Sequence, residues 1–402
     1  MDLRSGQSLW TAIDPPEFAY PSLTSDISCD VVVIGGGITG AMVAYHLAGV
    51  GIDTVLLDKR KIGIGSTSAS TSLLMYELDV PLHQLAKAIG ETEAARAYRL
   101  CCDAIGKIEK ITASLGDDCD FRRRESLYLA SCGKDVDGLK TEYELRRKHG
   151  FRLDYLQPCD IERRYSFSRP AALLTHDAAE INPYKLTHQL LHAANRDGLL
   201  RVHENTEVSK FEPKETGAVL KTAEGRRVSA RLVVFATGYK TQRFLPKNIV
   251  KLISSYAIAS RPVEKFTGWD DRAFVWETAR PYLYVRTTAD NRVIVGGADE
   301  EFIDPDKRDE LIEKKSAELQ RRFTELFPAI KMEIEFAWAG VFGETDDGLP
   351  YIGTIKEMPH AYLTLSYGAN GVIFSLLAAE LTRDYFAGVK NPDARLFRFD
   401  RA

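Results

Sequence analysis

A glycine-rich turn set between a buried strand and a helix constrains this chain more than any other feature. Val31, Val32, Val33 and Ile34 form a continuous β-branched run, the mark of a parallel strand covered on both faces. Gly35-Gly36-Gly37-Ile38-Thr39-Gly40 follows at once and leads into a helix predicted over 38–50. In such a turn Gly35 permits the tight bend, Gly37 lets the backbone approach a diphosphate, and Gly40 lets the helix lie close on the strand. The free N–H groups of the helix start then face the anion. Residues 54–57 read as a second strand, and Asp58 ends it, near the spacing of roughly 20 residues at which a carboxylate accepts ribose hydroxyls. A glycine turn alone is weak evidence. The strand on one side, the helix on the other and Asp58 beyond them make nucleotide binding the reading, against Asp58 as a plain strand-end turn residue.

The 402 residues, 45% hydrophobic and 27% charged, suffice for two globular domains. A formal charge of −4 supplies no basic field for nucleic acid. No run approaches the roughly 20 apolar residues of a membrane span, and no leader pattern opens the chain, so the expectation is a cytoplasmic protein without a membrane partner. Cys29, Cys101, Cys102, Cys119, Cys132 and Cys159 show no CxxC pair, which suits reduced thiols. His188 and His192 stand four apart on a predicted helix but lack the following Glu of a zinc motif, and Glu344, Asp346 and Asp347 lack calcium-loop spacing. No metal is expected.

Residues 1–27 read as a Pro-rich arm lying across the surface, with an exposed Trp10. Helices are predicted over 91–115, 183–197, 305–327 and 371–388, a strand over 232–236, and short antiparallel strands with turn signals between about 251 and 338.

A glycine turn does not separate NAD from FAD, and the later segments decide. Gly63-Ile64-Gly65-Ser66-Thr67-Ser68-Ala69-Ser70 resembles the hydroxyl-rich loop of the D-amino-acid oxidase superfamily, which includes glycine, sarcosine and γ-glutamylputrescine oxidoreductases. Phe235-Ala236-Thr237-Gly238 is similar to that family's turn on the FAD side, Trp338-Ala339-Gly340 and Asp347-Gly348-Leu349-Pro350-Tyr351-Ile352-Gly353 to its C-terminal signature, and Gly368-Ala369-Asn370-Gly371-Val372-Ile373 to the turn and helix start at the flavin ring. The order matches from about 28 to 398. Independently of any family, a helix start near Gly371 presents N–H groups and a positive dipole end suited to negative charge on a reduced flavin.

The resemblance implies an α/β chain with a Rossmann-like FAD-binding domain, discontinuous over 28–115, 155–245 and 336–398, and a mostly antiparallel substrate domain over 116–154 and 246–335. It implies non-covalent FAD. Beyond Gly35, Gly37, Ile38, Thr39, Gly40 and Asp58 it assigns to the cofactor Lys59, Ser66, Thr67, Ser68, Thr71, Ser72, Leu73, Val208 and Gly238, together with Gly368, Asn370, Gly371, Val372 and Ile373. Tyr284, Arg286, Phe342 and Tyr367 are its candidates for the substrate side; for Tyr284, packing in the sheet is the equal alternative.

Three departures narrow the chemistry. Where amino-acid-oxidising relatives grip the substrate carboxylate with Arg, this chain has Phe342, and where glycine oxidases carry another Arg it has Ala369. The cysteine that tethers flavin in sarcosine oxidases is absent near Gly340. The implied reaction is oxidation of a C–N bond in an amine or N-substituted amino acid, with hydride passing to flavin N5. Such a step asks for positioning more than for a side-chain base, so no catalytic residue is named. The electron acceptor, O2 or another, and the oligomeric state stay open. A nicotinamide-dependent dehydrogenase, which would leave the later motifs unexplained, and a non-catalytic flavin-binding module, suggested by the missing arginines, remain alternatives.

Overall fold

Val31, Val32 and Val33 are fully buried in strand Ile27–Ile34, which pairs in parallel with Thr54–Leu57 on one side and Arg227–Phe235 on the other. The computed structural model describes residues 4–196, 198–245, 247–365, 367–368 and 370–401. Two further parallel neighbours, Leu200–His203 and Ala361–Leu365, extend this sheet outward. An antiparallel edge strand, Tyr351–Gly353, and the hairpin of Val208–Lys214 and Gly217–Thr222 complete its eight strands. The chain therefore winds outward in both directions from Ile27–Ile34, and the point of reversal lies between it and Arg227–Phe235. Ligands bind at such a switch point, outside the carboxyl ends of the strands.

One face of this sheet is covered by helix Ile38–Ala48, which lies against Pro183–Arg196 and Gly371–Phe386. Val31 and Val33 pack there with Met42 and Leu47, while Val32 and Val55 point to the opposite face with Leu220 and Val228. That alternation is why a continuous apolar run is needed. Helix Glu91–Ser114 buries Tyr98, Cys101, Ile105 and Ile108, with Cys102 and Ile111 half-buried against the same core.

The larger sheet has ten strands and is mostly antiparallel. Its centre is Lys251–Ser260, paired with Val293–Glu300 and with Ile334–Glu344. Helix Ile312–Leu326 packs Leu319 and Phe323 beneath it; the helix predicted over 305–327 is divided at Leu311 into Pro305–Glu310 and Ile312–Leu326.

Two differences from the sequence reading concern this sheet. Strands Ala172–Glu180 and Ile334–Glu344, which fall in the segments assigned to the FAD-binding domain, hydrogen-bond into the larger sheet. The arm also does more than lie across the surface. Arg4–Gly6 adds an edge strand beside Trp338, Ala339 and Gly340. Trp10, expected to be exposed, is 1% exposed and packs with Leu9, Tyr184, Phe336 and Trp338. The proline content of the arm concealed this because its apolar residues are too few to show a period.

Candidate active site

A cavity of about 440 Å³ opens where the carboxyl ends of the smaller sheet meet the face of the larger one. Gly35, Gly37, Ile38 and Thr39 lie in its wall with Asp58 and Lys59. Gly35 has φ +112°, open to glycine and strained for other residues. A Cβ on Gly40 would stand 1.8 Å from the Gly35 carbonyl oxygen. Gly40 therefore acts through packing, outside the cavity wall. Gly35 faces the turn that follows Arg227–Phe235: the Ala236 N–H donates to the Ile34 carbonyl at 2.9 Å, and Ala236, Thr237 and Gly238 line the cavity opposite the glycine turn.

The hydroxyl-rich loop contributes in two ways. Thr67 Oγ1 accepts the Ile38 N–H at 2.9 Å, satisfying one orphan donor of the helix start. Ser66, Thr67, Ser70, Thr71 and Leu73 line the cavity, and Ser66 Oγ is buried without a protein partner. Ser68 turns back to the Gly65 carbonyl instead. Ser72, at φ +55°, is buried with an unpartnered Oγ outside the wall.

Asp58 accepts the Gly36 N–H on one carboxylate oxygen and the Arg60 N–H on the other, each at 2.7 Å. Burial pushes its carboxyl above the usual range, and these two N–H groups with the Arg60 and Lys59 charges resist the rise. Each oxygen keeps lone-pair capacity for a ligand hydroxyl. Val208 lines the same end of the cavity.

At the other edge Gly371 and Val372 of helix Gly371–Phe386 reach the wall, together with Tyr367 and Gly368. A Cβ on Gly371 would meet nothing within 4 Å, so the space beside its Cα is open. Asn370 sits behind them, anchored by its amide to the Glu77 carbonyl at 2.9 Å, and Ile373 is fully buried in the core. Thr39 Oγ1 lies 2.9 Å from Ser375 Oγ and so joins the starts of the two helices. Ala369 lies outside the described residues.

Tyr284 and Phe342 line the cavity. Tyr284 also packs in the sheet: Gly296 opposite it leaves room for the ring, since a Cβ there would come within 2.2 Å of it. Tyr284 thus packs in the sheet and lines the cavity at once. Arg286 requires a correction. It is fully buried behind the wall, where its guanidinium donates to the carbonyls of Thr71, Ser72, Ile181 and Thr287. Residues two apart on a strand share a face, so Arg286 leaves the sheet on the side of Tyr284, and its long side chain carries the charged head to the carbonyls of the 71–72 loop.

Several wall residues besides Lys59 had not been anticipated. Lys59 and Arg60 gather with Lys240 and Arg243 near Asp58, and Lys210 lines the cavity as well. Burial, then the neighbouring Lys59, Arg60 and Arg243, push the Lys240 ammonium down to about 8. A diphosphate would relieve that repulsion, and the glycine turn and helix starts supply N–H donors beside it, so the residues present fit FAD. The available signal was positional: Lys59 and Arg60 follow the carboxyl end of strand Thr54–Leu57, and Lys240 and Arg243 stand a few residues past that of Arg227–Phe235.

Elsewhere the wall is acidic and aromatic. Asp79, Asp299, Tyr239, Tyr282 and Trp276 line it. Tyr282 donates to Asp79 Oδ1 at 3.3 Å, and the Tyr282 and Tyr284 rings lie 5.7 Å apart. Asp299 Oδ1 is buried without a hydrogen-bond partner. Burial pushes the Asp299 carboxyl up to about 6; the Glu344 and Asp79 charges act in the same direction, against the Ser255 hydrogen bond and the Arg280 charge. Arg280 stacks over the Tyr282 ring at 4.6 Å and donates to backbone carbonyls. No sequence signal marked Asp79 and Asp299, which lie 220 positions apart.

The histidines considered for a metal serve packing: His188 meets Tyr184 edge-on, and His192 stacks on Phe18 at 3.8 Å. No helix among the described residues is long and apolar enough to cross a membrane.

Comparison with known proteins supplies an independent line of evidence. Residues 30–385 match the family profile described as FAD dependent oxidoreductase. The chain is 28% identical over 379 residues to the γ-glutamylputrescine oxidoreductase of Escherichia coli strain K12, covering 92% of this chain and 86% of that one. It is 26% identical over 392 residues to the glycine oxidase of Bacillus licheniformis, covering 92% and 97% respectively. In fold it is similar to the crystal structure of glycine oxidase from Geobacillus kaustophilus, with a TM-score of 0.79 at 21% identity over 93% of this chain and 99% of that one.

Proposed function

The chain belongs to the family of FAD-dependent oxidoreductases, whose profile spans residues 30–385, and from that premise we propose that it oxidises the C–N bond of an amine that carries a positive charge and no α-carboxylate. FAD is the cofactor, and when bound it supplies the hydride acceptor for conversion of the substrate amine to an imine. Gly35, Gly37, Ile38, Thr39 and the Lys59, Arg60, Lys240 and Arg243 cations would hold its diphosphate, Asp58 its ribose, and the start of helix Gly371–Phe386 its ring. The smaller sheet and its helices would then form the FAD-binding half, with the larger sheet covering the substrate.

The observation that carries the substrate class is the charge distribution of the wall. Cations collect around Lys240 beside Asp58, while Tyr284 lies beside Tyr282 within reach of the Asp79 and Asp299 charges, in a wall that also holds Phe342. A carboxylate brought there would face two acids with Phe342 in place of a bidentate Arg. An ammonium group would meet an unpartnered carboxylate oxygen and aromatic rings, both favourable to a cation. Two related proteins bear names consistent with amine and amino-acid substrates, and the acidic wall favours the amine.

Anaerobic mixing with alkylamines, diamines and N-methylated amino acids is expected to bleach the oxidised flavin spectrum with the cationic amines first. Reduction by hydroxy acids alone would defeat the C–N assignment. Because Asp299 titrates near 6 and must be ionised to hold a cation, amine affinity is expected to fall about tenfold between pH 7 and 5. Asp299→Asn should weaken amine binding by about tenfold at pH 7 and flatten that dependence. An unchanged pH profile in the variant would place the titrating group elsewhere. Phe342→Arg should improve the binding of carboxylate-bearing ligands in a spectral titration; unchanged affinity would mean that residue 342 does not meet the bound molecule.

A further inference from the structure

The segment between helix Ser66–Ala69 and strand Leu73–Leu74 has an unusual set of partners. Four successive carbonyls each accept a hydrogen bond from a buried side chain. Trp338 Nε1 donates to Ala69 at 2.8 Å and Trp10 Nε1 to Ser70 at 2.7 Å. Arg286 Nη1 donates to Thr71 at 3.0 Å and to Ser72 at 2.6 Å. The three donors come from the N-terminal arm, from strand Leu283–Thr287 and from strand Ile334–Glu344, and each is at most 1% exposed. The donors also support one another. The Arg286 guanidinium lies 5.5 Å from the Trp10 ring centre, and Gly6 of the arm pairs with Trp338.

The consequence is a matter of donors and acceptors. Ala69, Ser70, Thr71 and Leu73 line the cavity. With the carbonyls of residues 69–72 held from behind, and the Ser70 and Ser72 N–H groups donating to the Thr67 carbonyl and to Ser70 Oγ, the loop offers mainly its hydroxyl donors to whatever fills the cavity. An electron-rich cofactor needs such donors, and a carbonyl lone pair turned toward it would repel it. An indole has one donor and no acceptor, so Trp10 can hold Ser70 in only one sense.

We propose that Trp10 is a positioning residue of the flavin site: the arm that precedes the nucleotide-binding strand clamps the 69–72 loop, together with Arg286 and Trp338, into its FAD-receptive form. This rests on the reading that the loop faces FAD. Coupling of this kind is reciprocal. Whatever docking of the arm adds to FAD affinity, FAD adds to docking of the arm.

The test uses the full chain as holoenzyme and after FAD removal. Trp10→Phe keeps an aromatic ring in place and deletes the N–H. It is expected to weaken FAD binding by roughly 3- to 10-fold and to alter the visible absorption of the bound flavin. Limited proteolysis should cut the arm faster in the apoprotein than in the holoenzyme, with that difference reduced in the variant. Thr11→Val, a change in the same helix without a bond to the loop, should leave the flavin spectrum unchanged. Thr71→Val tests the underlying reading separately. If Thr71→Val weakens FAD while Trp10→Phe leaves affinity, spectrum and proteolysis unaltered, the arm only packs and the positioning role is wrong. If neither variant changes FAD affinity, the loop does not face the cofactor, and both readings fall together.

Discussion

Gly40→Ala is expected to yield protein that purifies without flavin and melts well below the parent. The added methyl carbon would stand 1.8 Å from the Gly35 carbonyl oxygen, 3.0 Å from its carbon and 3.4 Å from Val33 Cγ1. The first two are backbone atoms of the turn itself, so no side-chain rotation relieves the clash. Either helix Ile38–Ala48 lifts off strand Ile27–Ile34, or the turn opens. The first choice disturbs the contacts of that helix with Pro183–Arg196 and Gly371–Phe386; the second displaces Gly35, whose N–H donates to the Leu57 carbonyl at 2.8 Å. Overpacking of this kind costs about 1–3 kcal/mol and more when backbone must move. The flavin cradle is lost in both cases. The same substitution at Gly138, inside helix Val136–Lys148 with nothing within 4 Å of a new Cβ, should stabilise by about 0.5–1 kcal/mol. Thermal melting and the flavin-to-protein absorbance ratio measure both. A Gly40→Ala protein carrying stoichiometric FAD at the parent melting temperature would refute the close-packing account.

Arg146→Met should destabilise the protein by about 3–5 kcal/mol. Arg146 is fully buried and donates to Glu142 at 2.7 Å and to Glu77 at 3.3 Å, with the Tyr76 and Tyr98 rings 5.6 and 5.5 Å from its guanidinium. Methionine fills much of the volume and leaves two carboxylates buried without their cation. For Glu142, burial raises the pKa, but Arg146 and the donors from His83 and Leu82 outweigh it and hold the carboxyl at about 2. A depressed carboxyl contributes stability in full above its usual value of 4.5, and that contribution is lost as pH falls toward 2. Glu77 is already shifted upward, chiefly by burial. Without Arg146 both acids favour protonation in the folded state, so stability is lost as pH rises through their folded values. The deficit should be smallest near pH 5 and grow toward pH 7.5, as read by denaturant unfolding at both. Glu77 accepts the Asn370 amide through its carbonyl, so looser flavin binding should accompany the loss. A pH-independent deficit would point to lost packing instead of unpaired charge.

Legibility varied with the kind of signal. The glycine turn, Asp58 and the start of the last helix were readable because backbone chemistry at a switch point demands particular residues at particular spacings. The hydroxyl loop was readable only by resemblance, and its members divide: Ser66, Thr67 and Thr71 face the cavity, Ser68 and Ser72 do not. Lys240 and Arg243 were within reach, since they follow directly on Gly238. Trp10 and Arg286 were misplaced because neither exposure nor the reach of a long side chain is encoded in a local pattern.

Strand period and glycine spacing determined by themselves that this chain builds a dinucleotide-binding sheet, because those demands are local and a few neighbouring residues satisfy them, whereas the run of later motifs pointed to FAD through a family resemblance. Only the tertiary structure decided that Asp79 and Asp299 share a wall with Tyr282 and Phe342, and that the arm closes behind the 69–72 loop. Those arrangements join residues from 60 to more than 200 positions apart, and their chemistry exists only once burial has removed water and set the groups beside one another.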